Sequence, residues 1–287
     1  MPTSSFFARY SAYLQAAPLT LVLLVFLVGP LIVILIFSVF KFTGFIWEPG
    51  FVFDNYERVF TRSVTVKNYI QTIKITAITW VFTLFIGFTL AYFFVFDLVT
   101  FKVKIFFFLL VIVPFWTSGV VRIVSWLPIL GRNGLINKVV VGVGLSEQPW
   151  DFLFFSEFAV ILSYVHVFSL FMVAPLFNVM AKIDPSLFEA ARDQGAKGWQ
   201  ILLYIIIPMT KPGIAIGTIF VVALVAGDFT ASRVLSGGQM GTVATTISNQ
   251  YGHFQYPFAT ASGIVFLFVL LLFVGGLMRV VNVREQL

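Results

Sequence analysis

Apolar residues in this chain collect in six long runs, separated by shorter stretches that carry most of the charges. Each run approaches the roughly 20 residues that an α-helix needs to cross the hydrocarbon core of a bilayer. The pattern therefore predicts an all-α integral membrane protein with six transmembrane helices, preceded by an N-terminal segment over residues 1–17. Within a single membrane domain over 18–287, the predicted spans are about 18–40, 70–96, 103–121, 158–180, 212–227 and 258–281.

Two of these runs need comment. The first is too long for the apolar region of a signal peptide and lacks a small-residue cleavage site, so we expect it to be retained. The fifth is punctuated by Gly213, Gly217 and Gly227, and we expect its helix to extend backwards past Pro212. The runs show no internal repeat, which disfavours carriers built from inverted repeats.

Composition supports the membrane class and excludes others. Of the 287 residues, 60% are hydrophobic and 10% are charged, and the mean hydropathy is +1.01. The net charge of +6 comes from scattered basic residues, which fits the flanks of membrane spans better than a nucleic-acid surface. The chain has no cysteine, so it has no disulfide, thiolate metal site or cysteine nucleophile.

The polar stretch between the fourth and fifth runs predicts a helical elbow. Asp184 is a good N-cap residue, Pro185 fits the first helical position, and Gly195 is placed to end the helix. A second short helix over 199–206 would be stopped by Pro208 and then by Pro212. The two helices would lie against the membrane surface.

This stretch resembles the EAA loop of the membrane subunits of binding-protein-dependent ABC importers. The matching residues are Glu189-Ala190-Ala191, Gly195-Ala196 and Ile205-Ile206-Ile207-Pro208, at the spacing of that family. The resemblance implies that the loop is cytoplasmic and that its first helix inserts into a groove on a separate ATPase dimer. Contact residues would be Glu189, Ala190, Ala191, Asp193, Gly195 and Ala196. The alternative is an ordinary amphipathic helix at the membrane interface.

A second passage narrows the resemblance to the spermidine/putrescine group of permeases. It comprises Pro114-Phe115-Trp116, Arg122 and Gly134-Leu135-Ile136-Asn137, and Asn55-Tyr56 is a further match nearer the N-terminus. The resemblance implies a polyamine substrate, an extracytoplasmic binding protein and a second, homologous permease chain. Val124-Ser125 departs from the Tyr-Ala that often follows the arginine, which weakens the inference of substrate.

Charge alone does not orient the chain. With six spans, each side of the membrane receives nine of the 18 basic residues. The positive-inside rule gives more weight to charges in short loops, and these lie on the side that holds both termini and the 181–211 loop. Together with the EAA resemblance, this places both termini in the cytoplasm of a bacterium, with the chain in its inner membrane.

Five residues are candidates for the substrate pathway, all on the side opposite the EAA loop: Trp116, Arg122, Trp126, Asp228 and Arg233. Asp228 follows Gly227 at a predicted helix end, and a carboxylate in a water-filled cavity would suit a cationic substrate. Trp116 and Trp126 could offer cation–π faces, although tryptophan is also common at membrane interfaces. Arg233 could neutralise Asp228 or favour a substrate with an anionic group. The alternative for Asp228 is a solvated helix end.

The sequence shows no motif or residue set typical of an enzyme active site. Leu235-Ser236-Gly237-Gly238-Gln239 spells the signature of ABC ATPases, but the chain has no phosphate-binding G-x-x-x-x-G-K-[ST] loop, so we expect it not to bind ATP. ATP and magnesium would be held by the partner ATPase. No residues assemble into a metal site, catalytic triad or acid–base pair, and His166 within the fourth span is more often a packed residue than a proton relay.

Several functions remain open at this point. Within the importer class, the substrate could instead be an opine-like amino-acid derivative, an aminophosphonate or another small organic solute, because of Val124-Ser125 and Arg233. A secondary carrier should show charged pairs or relays within its spans, and this chain has almost none there. A membrane scaffold would not require the EAA spacing.

Overall fold

The computed structural model describes residues 4–44, 46–98 and 100–280. Residues 1–3 of the predicted N-terminal segment and 281–287 of the C-terminal tail lie outside the described residues. The first half of the chain contains α1 (Ser4–Leu23), α2 (Gly29–Ser38), β1 (Lys41–Phe42), β2 (Trp47–Glu48), α3 (Asp54–Thr61), α4 (Ser63–Tyr92), α5 (Phe101–Ile112), α6 (Gly119–Val124), α7 (Leu127–Leu130) and α8 (Leu135–Gly142).

The second half contains α9 (Glu157–Met180), α10 (Ser186–Asp193), α11 (Gly198–Ile201), α12 (Ile207–Gly227), α13 (Thr230–Leu235), α14 (Val243–Gly252) and α15 (Tyr256–Val280). Single π-helical turns follow α1, α4 and α11, at Leu24–Val28, Phe93–Asp97 and Leu202–Ile206. Short 3₁₀ turns cover Val113–Trp116 and Asp151–Leu153. The two strands form one small antiparallel hairpin, with Lys41 opposite Glu48.

Among the described residues, five helical segments are long and apolar enough to cross a membrane. They correspond to the predicted spans one, two, four, five and six, and run over Gln15–Ser38, Ser63–Asp97, Glu157–Met180, Gly198–Gly227 and Tyr256–Arg279. The chain is therefore mainly helical, as the apolar pattern predicts. The count of six spans stays a prediction.

The predicted third span, 103–121, is not one continuous helix. Helix α5 ends at Ile112, the chain makes a 3₁₀ turn over Val113–Trp116, and a new helix begins at Gly119. Pro114 in that turn has no N–H to donate, and its ring is incompatible with the middle of an α-helix. The 12 residues of α5 extend only about 18 Å, less than the roughly 30 Å of a hydrocarbon core.

The predicted stop within the fifth span is also wrong. Instead of ending at Pro208 and Pro212, the helix continues from Gly198 to Gly227. A π turn absorbs the first proline, because the N–H of Ile207 bonds to Leu202 five residues back. Near the second, the Thr210 hydroxyl donates to the carbonyl of Ile206 at 2.8 Å. The expected extension past Pro212 is confirmed.

The described chain divides into two compact units, one comprising residues up to 63 with 247–268, and the other residues 64–246 with 269–280. In the first unit, Asn55 is buried and its amide donates to the carbonyls of Ser38, at 3.0 Å, and Phe40, at 2.9 Å. The hydroxyls of Tyr56 and Ser38 lie 2.7 Å apart. The Asn55-Tyr56 pair thus supplies partners for the end of α2, whose last carbonyls have none within the helix.

The second unit is built around the seam between α9 and α12, the most extensive contact between its elements. Met172 of α9 is fully buried, and its side chain lies between two glycines, Gly87 of α4 and Gly217 of α12. Trp80 Nε1 donates to the Thr218 hydroxyl at 2.9 Å across the neighbouring helices. Glycines let backbones approach closely, which is the usual way for membrane helices to associate.

This packing predicts that Gly217→Val destabilises the protein. A Cβ at position 217 would lie 2.5 Å from Met172 Sδ and 3.2 Å from Met172 Cα, so the helices must separate. Overpacking of this kind costs about 1–3 kcal/mol, which thermal unfolding of the protein in lipid nanodiscs should detect. Gly227→Val is the matched control, because a Cβ there meets nothing within 4 Å. Equal melting temperatures for the two variants would contradict this packing account.

Candidate functional site

The stretch after α9 folds as the sequence predicts up to Gly195. The carboxylate of Asp184 accepts a hydrogen bond from the Ser186 N–H at 2.9 Å, and α10 follows over Ser186–Asp193. That hydrogen bond lowers the pKa of the Asp184 carboxyl, since it stabilises the charged form. A second cap starts α11, where Gln200 Oε1 accepts from the Lys197 N–H at 2.7 Å.

One face of helix α10 packs against the rest of this chain, and the opposite face is exposed. Phe188, Ala191 and Ala196 pack against the core of the second unit, and the Phe188 ring lies 5.3 Å from that of Phe96. Glu189 and Ala190 are exposed, as are Asp193 and Gly195. Of the predicted contact residues, Ala191 and Ala196 therefore hold the helix to this chain, and the other four are presented outward.

Gly195 makes the turn that ends α10. Its φ is +83°, a left-handed conformation that costs glycine little and other residues more. The Gly195 N–H bonds to Arg192 O at 2.8 Å, and the Ala196 N–H bonds to Ala191 O at 3.0 Å, which closes the last turn of the helix. The predicted role of Gly195 as helix terminator is confirmed.

A polar cluster lies at the other end of the α9–α12 pair. Because α9 runs towards the EAA loop and α12 runs away from it, the start of α9 and the end of α12 both lie opposite that loop. Tyr164 is 1% exposed, and its Oη lies 3.1 Å from Asp228 Oδ1 and 3.1 Å from Ser232 Oγ. The same carboxylate oxygen accepts from the Ala231 N–H at 2.9 Å. Asp228 thus caps α13.

The Asp228 carboxyl is half-buried, and this changes its electrostatics. Burial raises its pKa, and the hydrogen bonds from the Ala231 N–H and the Tyr164 hydroxyl oppose that rise. The carboxylate keeps several hydrogen-bond donors while losing part of its hydration. Such a group gains more from an arriving cation than a fully solvated carboxylate would.

A second group of predicted pathway residues meets beside Tyr164. Trp126 Nε1 donates to His166 Nδ1 at 3.3 Å, and the two rings meet edge to face. The Arg122 guanidinium lies over the Phe115 ring, 4.6 Å from its centroid. The Nε of Arg122 is buried and has no hydrogen-bond partner among the described residues. His166 is therefore an exposed hydrogen-bond acceptor in this arrangement.

Two predicted pathway residues do not join these groups. Trp116 ends the 3₁₀ turn after α5 and is 86% exposed. Arg233 is exposed on α13, and its guanidinium lies 5.7 Å from the centroid of the Phe229 ring. The structure therefore brings Arg122 to Phe115, Trp126 to His166 and Asp228 to Tyr164, and it leaves Trp116 apart.

An apolar groove follows the half of the α9–α12 pair that is nearer the EAA loop. Its volume is about 660 Å³, and Phe115, Phe171 and Phe220 line its far end, where the Phe115 ring contacts the Arg122 guanidinium. Asn178 and Lys182 line it near the EAA loop. Within residues 4–280, the described His, Asp and Glu side chains form no cluster of three that could hold a metal ion.

Comparison with known proteins gives relatives along most of the chain. Escherichia coli spermidine/putrescine transport system permease protein PotB is 31% identical over 237 residues, covering 82% of this chain and 83% of that protein. The Haemophilus influenzae protein of the same name is 33% identical over 168 residues, which span only 58% of either chain. No family model matches the chain. The chain belongs to the permease subunits of ABC importers.

Solved structures agree with this family at the level of the fold. A crystal structure of a bacterial ABC transporter involved in the import of the acidic polysaccharide alginate matches this permease with a TM-score of 0.78 over 98% of both chains, at 20% identity. A second structure shows the alginate transporter with a periplasmic protein bound to an alginate pentasaccharide, and it matches with a TM-score of 0.77 over 97% of this permease. The resemblance predicted from the EAA spacing and the Pro-Phe-Trp passage is confirmed as a family membership.

Sequence reasoning missed the partners that organise the site. Tyr164 contacts Asp228 from 64 positions away, Ser232 contacts Tyr164 from 68 positions away, and Phe115 contacts Arg122 from seven positions away. The only local signal is that Tyr164 and His166 both interrupt the apolar run of α9 with polar atoms. Two polar side chains two positions apart in a membrane helix indicate a site, without naming its partners.

The hydrogen bonds of Tyr164 predict a measurable loss of stability in Tyr164→Phe. The change leaves Asp228 and Ser232 without their shared partner, and an unsatisfied buried group costs about 1–3 kcal/mol. Thermal unfolding in nanodiscs would measure the effect, and Tyr204→Phe is the control because Tyr204 is 71% exposed. A Tyr164→Phe variant as stable as this control would show that the hydroxyl contributes nothing to the fold.

Proposed function

We propose that this permease is one of two homologous chains that form the pathway of an ATP-driven importer for polyamines such as putrescine and spermidine. It would lie in the inner membrane of a bacterium with six spans and both termini in the cytoplasm. The proposed substrate class rests on the 31% identity to PotB over most of both chains. The chain itself would bind no ATP or magnesium, since the partner ATPase dimer would hold both.

The arrangement of α9 and α12 supports a transport mechanism. The groove along this helix pair runs from Phe115, whose ring contacts Arg122, to Lys182, next to the EAA loop. A movement of the loop would therefore act directly on the helices that line the groove. Alternating access by rigid-body rocking needs such a mechanical connection between the ATPase contact and the pathway.

The partners follow from the exposed surfaces and the relatives. The outward face of α10, with Glu189, Ala190 and Asp193, would contact the cytoplasmic ATPase, and Gly195 would permit the turn that presents it. An extracytoplasmic binding protein would deliver the substrate at the opposite end, as a periplasmic protein does in the alginate transporter complex. A second, homologous permease chain would complete the pathway. Because this second chain would differ in sequence from the first, the pair would be a heterodimer.

The cluster at the substrate end suits an organic cation. Asp228 supplies a half-buried carboxylate, and Trp126 and Phe171 supply aromatic faces that attract ammonium groups. The apolar groove would accommodate the methylene chain between the amines of a polyamine. These features favour a flexible alkylamine over a large polar solute.

One observation favours a second class of substrate. The buried Nε of Arg122 has no hydrogen-bond partner among the described residues, and an unpaired donor of this kind is costly unless a ligand supplies an acceptor. An aminophosphonate or an opine-like amino-acid derivative would place an anionic group there while its amine approaches Asp228. This class is the alternative to a polyamine.

The test is ATP hydrolysis by the complex that copurifies with this tagged chain from its native membranes. Reconstituted in lipid with the cognate binding protein, the complex should hydrolyse ATP several-fold faster with putrescine or spermidine. Stimulation by an aminophosphonate or an opine, and not by polyamines, would select the alternative substrate. Absence of any copurifying ATPase under gentle extraction would contradict the proposed importer function and favour a secondary carrier.

The coupling role of the loop has its own test in Gly195→Leu. A leucine at φ +83° is strained and should displace the outward face of α10, leaving a membrane-inserted chain whose ATPase no longer responds to substrate. Gly198→Leu is the matched control three residues away, since neither position has a heavy atom within 4 Å of an added Cβ and Gly198 lacks the positive φ. Wild-type transport by Gly195→Leu would show that the loop does not couple.

A further inference from the structure

A second polar pocket lies at the substrate end of the molecule, apart from Asp228. It measures about 550 Å³ and is lined by Lys67, Asn68 and Gln71 of α4, Phe155 and Glu157 at the start of α9, and Gln239 of the turn after α13. We call it the Glu157 pocket. Because it contains the start of α9 and the turn that follows α12 and α13, it lies opposite the EAA loop.

The carboxylate of this pocket is already engaged by an amine of the same chain. Lys74 Nζ lies 2.8 Å from Glu157 Oε1 and 2.9 Å from Glu157 Oε2, so one ammonium group faces both oxygens. A lysine side chain is an ammonium on four methylene groups, which is the aminobutyl group of putrescine and spermidine. The ion pair therefore has the chemistry expected between a polyamine and its receptor.

The pair is placed where a solute could exchange with it. The side chains of Lys74 and Glu157 are 53% and 31% exposed, and ion pairs of such exposure contribute little to stability. Breaking the pair for an incoming ammonium group therefore costs little. The released Lys74 would stay on the exposed side of α4.

The carboxylate is better fixed than the lysine. Glu157 is the first residue of α9, where the helix dipole favours a negative charge, and Ser156 Oγ caps the helix by accepting from the Ala159 N–H at 3.1 Å. The other walls are also held, because Asn68 donates to the Thr246 hydroxyl and Gly237 packs its backbone against the Phe155 ring. A carboxylate placed at a capped helix start, opposite a lysine that is more exposed than it is, suits exchange of the lysine.

We propose that the Glu157 pocket binds a primary alkylammonium group of the substrate, and that Lys74 occupies this site as an internal substitute until the substrate displaces it. The proposal rests on the proposed import of polyamines and adds a first binding site for them on this chain. Lys67 also lines the pocket, at an exposed position, so its charge weakens cation binding without occupying the carboxylate.

A lysine that competes with the substrate and a lysine that only stabilises the structure predict opposite changes in putrescine affinity when Lys74 is removed, which makes the proposal testable. If Lys74 competes with the substrate, Lys74→Ala should bind putrescine about three- to fivefold more tightly, since it removes a competitor worth up to about 1 kcal/mol. Glu157→Gln should bind putrescine roughly tenfold more weakly, because a charged acceptor is lost. Lys74→Arg should stay close to wild type.

The measurement is equilibrium binding of radiolabelled putrescine to the complete importer complex in nanodiscs, without binding protein or nucleotide. Lys67→Ala is the matched control, since it removes the same charge from the same pocket and leaves the Glu157 ion pair in place. Its gain in affinity should be smaller than that of Lys74→Ala. Equal gains would mean that net charge alone sets the affinity and would overturn displacement.

The remaining outcomes separate this site from the proposed function. Weaker putrescine binding in both Lys74→Ala and Glu157→Gln would identify a structural ion pair and overturn the site. The site would also be overturned if the wild-type complex imports putrescine but shows no saturable putrescine binding in the absence of the binding protein. A wild-type complex that imports no putrescine would instead refute the proposed function, whatever the two variants do.

Discussion

The close packing of α9 against α12 is the constraint on which the rest of the second unit depends. In lipid, helices gain little from burying apolar surface, so their association relies on tight van der Waals contact and hydrogen bonds. Here Gly217 and Gly87 admit the side chain of Met172, and Trp80 bonds to Thr218 beside them. Once this seam is set, both ends of the helix pair have fixed positions. One end carries the EAA loop and the other carries the Asp228 cluster.

This shared scaffold explains how two distant sites can belong to one mechanism. The chain passes from α9 through α10 and α11 directly into α12, so the exposed loop and the groove are parts of one continuous element. Phe188, Ala191 and Ala196 attach α10 to the core, which leaves its other face for a partner. Coupling over such distances travels through packed, rigid elements. The π turn at Leu202–Ile206, a feature often found at functional sites, lies between the loop and the groove.

The sequence predicted the structure well where a feature depends on residues close together in the chain. It misled where other residues change the effect of a local feature such as a proline. Apolar runs located five of the described spans, and Asp184 and Gly195 marked both ends of α10, because capping acts within a few residues. Pro208 and Pro212 suggested a break, but the helix continues through both after the π turn at Leu202–Ile206, whereas Pro114 did interrupt its helix. The pairs Tyr164–Asp228 and Lys74–Glu157 join residues 64 and 83 positions apart, and no spacing rule could have found them.

The two carboxylates at the substrate end show how a membrane protein can keep acids available for a passing cation. A half-buried carboxylate normally needs a permanent counter-charge or enough hydrogen bonds to stay ionised. Asp228 takes hydrogen bonds from the Ala231 N–H and the Tyr164 hydroxyl, and Glu157 stands in the first turn of α9. Neutral dipoles thus support much of each negative charge. Because those dipoles stay in place when a cation leaves, a carboxylate held in this way could exchange one ammonium group for another at small cost, which the proposed import of polyamines would require and tight binding would prevent.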